Sequence, residues 1–87
     1  MTVNVAEVKA AIAAAIQEVT DCQQAVQLAN DKLEAAQQNL SIAVEGSAHD
    51  AVDTARAALF QCSQDLENCM AGTTAAVEQA QTYVATL

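Results

Sequence analysis

Apolar side chains recur along the first half of the chain at alternating steps of three and four residues: Val5, Val8, Ile12, Ala15, Val19, Cys22, Val26, Ala29, Leu33, Ala36, Leu40 and Ala43. That spacing keeps one stripe of a helix turned toward one partner, and no alternate-residue pattern competes with it. Asn4, with Glu7 three residues on and Val3 and Val8 flanking it, has the form of a helix cap with its stapling pair. The pattern predicts a first helix from about residue 4 to 44, a rod on the order of 60 Å at 1.5 Å per residue. After a short gap the same rhythm resumes at Ala48 and continues through Val52, Ala55, Leu59, Cys62, Leu66, Cys69, Thr73, Ala76, Ala80, Tyr83 and Leu87. This predicts a second helix from about residue 48 to 86. Only Thr73 breaks the apolar stripe, and Gly72-Thr73-Thr74 is a low-propensity patch expected to weaken the helix without dividing it.

Between the two helices lies Val44-Glu45-Gly46-Ser47. Gly46 supplies the positive φ that ends a helix at little steric cost, and Ser47 with Asp50 three residues later can cap the next one. A reversal at about residues 45–47 therefore predicts an all-α fold, an antiparallel two-helix hairpin spanning residues 1–87 as one domain. Laying the stripes against each other pairs positions whose numbers sum to 91 or 92, so that Leu40 meets Val52, Leu33 meets Leu59 and Cys22 meets Cys69.

That register gives the cysteines two readings. They can be small buried hydrophobes, or Cys22 and Cys69 can close a disulfide worth about 4 kcal/mol in the chain-entropy model. Cys62, facing Ala29, is then a free buried thiol or a link between chains. A second, weaker stripe of Leu28, Ala35 and Ile42 on the first helix and Met70, Val77 and Val84 on the second would stay wet in a lone hairpin. It predicts a surface that meets a second hairpin, completing a four-helix bundle.

Composition narrows the function. The 87 residues include no proline and two glycines, and 11 acidic residues against 3 basic ones give a net charge of −8. A chain so acidic repels phosphate backbones and anionic lipid heads, so nucleic acid and membrane surfaces are poor partners. Ala10–Ile16 is too short and alanine-rich for the core of a secretory leader or for a membrane span. Catalytic chemistry finds little support: His49, beside Asp50 and four residues before Asp53, reads as part of a helix start, and no nucleophile, phosphate loop or cofactor motif accompanies it. Without a Cys-x-x-Cys pair or a third ligand for His49, neither a metal nor any other cofactor is expected.

An alanine-rich hairpin of this length, reversing at Val44-Glu45-Gly46-Ser47-Ala48-His49-Asp50-Ala51, resembles the Trp-x-Gly family of small type VII secretion substrates, the early-secreted-antigen type. The resemblance covers the whole chain in length, acidity and two-helix plan. Two positions depart from the family pattern: Val44 stands where the family has tryptophan, and Tyr83, the match to its C-terminal export tyrosine, is followed four residues on by Leu87 in place of an acid. The resemblance implies a non-enzymatic protein that is exported without a cleaved leader, or escorts a larger substrate, as a dimer with itself or a paralogous hairpin. The helical N-terminal domain of a larger toxin is a further partner of that kind. A divergent member relying on its partner's export signal would account for both departures. The reading that competes with it is a cytosolic helical adaptor unrelated to secretion.

Overall fold

A computed structural model describes residues 4–45 and 49–87. The chain forms helix α1, Val5–Ala43, and helix α2, Asp50–Ala85, packed antiparallel as an all-α hairpin measuring 66 × 21 × 15 Å. The start of α1 follows from Asn4, whose extended backbone lets the side-chain oxygen accept the Glu7 amide at 2.8 Å. At its other end Val44 is half-buried and its amide donates to Leu40 O at 3.3 Å. The expected reversal at Gly46, the Ser47 cap, the start at Ala48 and the Val3 staple lie outside the described residues. Helix α2 begins at Asp50 with His49 as its N-cap: Nδ1 of His49 accepts the Ala51 amide at 3.3 Å, and Asp50 and Asp53 put negative charge against the positive end of the helix dipole.

One row of the expected stripe holds the helices together. Ile12, Val19, Val26, Leu33 and Leu40 on α1 and Val52, Leu59, Leu66, Thr73 and Ala80 on α2 are all half-buried. The second row differs from expectation. On α2 it is Ser63, Met70, Val77 and Val84 that turn toward α1, while Cys62, Cys69, Ala76 and Tyr83 are exposed. On α1 Ile16, Gln23, Asn30 and Gln37 are half-buried, and of the expected row Val8, Ala29 and Ala36 are half-buried as well, while Ala15, Cys22 and Ala43 are exposed. Helix α2 is thus turned by about 50° from the orientation that apolar spacing alone suggests, while α1 meets it through parts of both rows.

Size explains the choice, because burial free energy scales with the area removed from water. Facing Met70, Val77, Val84 and Ile16 inward covers more apolar surface than facing a row of alanines and cysteines. Of the three amides brought in with them, Gln23 spans the seam: its Nε2 donates to Thr73 Oγ1 at 3.1 Å and to Thr74 Oγ1 at 3.4 Å. Thr73 in turn donates to Met70 O at 2.8 Å, and α2 runs unbroken through the Gly72-Thr73-Thr74 patch. A Cβ placed on Gly72 meets nothing within 4 Å. Gly72→Ala is therefore expected to stabilise dilute protein by about 0.5–1 kcal/mol through helix propensity, measured by urea unfolding.

The register also differs. Gln23 meets Thr73, and Val26 and Asn30 share a groove with Met70 and Leu66, so facing positions sum to about 96 in place of 91 or 92. The shift is a little more than one helical turn. Even so, none of the described residues is buried: the hairpin has a seam, but no core.

Candidate functional site

The three cysteines are free and exposed. At the observed register Cys22 is level with Thr74, which leaves Cys69 about 7 Å away along the helix axis before any lateral separation is added. A disulfide needs Cα atoms about 4.4–6.8 Å apart and Cβ atoms turned toward each other, whereas these two lie on the outer flank of the seam. The expected Cys22–Cys69 bridge is absent, and Cys62 is an exposed thiol in place of a buried one. Protein alkylated in denaturant without reductant should carry three modified thiols by mass spectrometry; a single modified thiol would contradict the register.

The stripe expected to meet a second hairpin divides. Met70, Val77 and Val84 are half-buried in the seam against α1. Leu28 and Ile42 are exposed, at 59% and 68%, along the outer edge of α1. Tyr83 is exposed in the last turns of α2. The hydrogen-bonded pairs Gln17–Asp21, Gln27–Asp31 and Gln61–Asp65 link successive turns of single helices and gather no polar cluster.

Two open grooves follow the seam. One lies between Val26, Asn30, Leu66 and Met70; the other lies between Lys9, Ile12, Ile16, Val84 and Ala85 at the end away from the turn. Both are lined mainly by aliphatic groups. His49 is engaged at the start of α2 by its contact with the Ala51 amide, and among the described residues no three His, Cys, Asp or Glu side chains gather to hold a metal ion. Comparison with protein-family models, with curated proteins and with solved structures finds no match. Among the described residues no helix is long and apolar enough to cross a membrane. What the molecule offers chemically is surface: two long helices and a face that bears three thiols.

The contact that sequence reasoning missed is Gln23 with Thr73 and Thr74. A signal for it was present. Thr73 is the polar interruption in an otherwise apolar stripe, and a half-buried hydroxyl at a helix seam calls for a polar partner at the same level of the facing helix.

Proposed function

We propose that the chain is a non-enzymatic helical-hairpin protein of a type VII secretion system, acting as an exported substrate or as the partner that escorts a larger one. The observation that carries the interaction part of this reading is that none of the described residues is buried in a hairpin 66 Å long. A single layer of two helices leaves apolar surface that a partner must cover. The secretion part rests on the resemblance at Val44–Ala51, with Tyr83 as the candidate export element. Catalysis by His49 would require a convergent polar pocket, and its Nδ1 is occupied at the helix start.

The test is export. A tagged chain produced in cells with an intact type VII machine should reach the medium, and it should stay inside cells whose type VII ATPase is inactivated. Retention in both would overturn the secretion reading. A cytosolic helical adaptor is the second reading, favoured by one observation: three exposed cysteines without a disulfide suit a reducing compartment.

A further inference from the structure

Both grooves of the seam open on one broad face of the hairpin. Gln27 and Glu67 form the rim of the first, Ala13 and Gln81 the rim of the second, and on each helix the two rim positions are separated by a multiple of seven. One stripe of each helix therefore borders both grooves. Their floors are aliphatic, with Val26, Leu66 and Met70 in one and Ile12, Ile16 and Val84 in the other. Measured along either helix, the grooves lie about 15 residues or roughly 22 Å apart. Between them the seam is polar, where the Gln23 amide reaches Thr73 and Thr74.

Charge distinguishes this face from the other. The rim stripes carry Glu34, Asp53 and Glu67, and the stripes just outside them carry Asp31 and Glu78, against Lys9 at the open end and Arg56 near the turn. The opposite face, with the three thiols, has only Glu18 and Asp65 against Lys32. Around the first groove the carboxylates stand on both banks, Glu67 on α2 and Asp31 and Glu34 on α1. Gln27 Nε2 donates to Asp31 Oδ1 at 3.2 Å, which steadies that carboxylate beside the rim.

We propose that this face is the docking surface for a single cationic amphipathic helix of another protein, laid lengthwise in the cleft between α1 and α2. Its apolar stripe fills the two grooves, with anchor residues about 15 positions apart, and a small or polar residue stands between them at the level of Gln23 and Thr73. Lys and Arg on its flanks meet the carboxylates on the two banks, with their aliphatic stems along the groove walls. A straight cleft between antiparallel helices suits a third helix, whereas a bound strand would need a free sheet edge and the described residues form no strand. This deepens the interaction part of the reading above by naming the partner's chemistry. It rests on that part alone and not on secretion.

The probe is a synthetic peptide of about 22 residues built from leucine, alanine and lysine, with leucines on one helical stripe and lysines flanking it. Added to the full chain, it should bind saturably at tens of micromolar by fluorescence anisotropy and gain helix by circular dichroism. A peptide of the same composition with its leucines scattered around the helix should bind about tenfold more weakly or worse. Glu34→Lys combined with Glu67→Lys should weaken binding about tenfold or more, whereas Glu18→Lys combined with Asp65→Lys, the same charge change on the opposite face, should weaken it less than about threefold. All four side chains are exposed, so the helicity of the hairpin should not change. Equal binding of the scattered peptide, equal losses from the two charge reversals, or no binding up to about 100 µM would each overturn the inference. Self-association of the chain that shuts the peptide out would give the face to a second copy and overturn it too. Export without peptide binding would sink this inference alone, and peptide binding by a chain retained in the cell would sink the secretion reading alone.

Discussion

Val77→Asp is expected to unfold the hairpin. Val77 is half-buried in the seam, level with Val19 of α1, and the described part of α1 brings no cation to that level. Losing the valine's burial and placing an unpaired carboxylate there should cost about 3 kcal/mol. A domain of this size has only about 5–10 kcal/mol in total, and one without a core sits at the low end. Thermal melts followed by far-ultraviolet circular dichroism in dilute protein should show most of the cooperative helical signal lost at a temperature where wild type keeps it. The placement of Val77 makes this test decisive. On an outward face the same substitution would spare the monomer's helices and weaken only association; an unchanged melt would therefore return Val77 to the surface and overturn the orientation of α2.

Gln23→Leu combined with Thr73→Leu should have the opposite effect on stability and a second effect on register. Two leucines facing each other in the seam remove a neutral hydrogen bond worth about 1 kcal/mol and add more than that in burial, a net gain of about 1–2 kcal/mol in urea unfolding. The polar contact, however, is what distinguishes this register from its neighbours, because an all-aliphatic seam packs almost as well after a slip of about one turn. Such a slip, with the helices turned, would bring Cys22 opposite Cys69. Under oxidised glutathione the double variant should therefore form a Cys22–Cys69 bond, two thiols losing their protons and two electrons to the low-molecular-weight disulfide, while wild type should not. Equal cross-linking in both would mean that Gln23 and Thr73 do not hold the register.

The all-helical hairpin was legible in the sequence because its evidence is repeated many times over: two uninterrupted heptad rhythms, an Asn4 cap, and no strand signal. The row from Ile12 to Leu40 was legible for the same reason. The second row was not, because counting apolar positions treats Cys22 and Ala15 as equal to Met70 and Ile16, whereas burial weighs area. Placing Ala15 and Cys22 in the second row sets Cys22 against Cys69, so the bridge, the register and the outward placement of Met70, Val77 and Val84 all depend on that one row and fall together. Thr73, an interruption of the stripe by spacing alone, is the polar partner of Gln23. His49 was placed correctly at a helix start on electrostatic grounds, and the structure adds the specific contact, an imidazole nitrogen accepting the Ala51 amide.

The missing core has a mechanical consequence. Lys9 of α1 and Ala85 of α2 line one groove, so the start of α1 and the end of α2 lie together, away from the turn. A pull on either end therefore loads the seam in peeling geometry, opening one layer of half-buried contacts at a time, and not in shear, where all layers would resist at once. Each layer holds only a few side chains, and no buried cluster waits further in to arrest the opening. The rod would yield to a small, nearly constant force, and hydrogen exchange should accordingly be fastest at the open end, at the amides around Val8 and Val84, and slow in steps toward the turn.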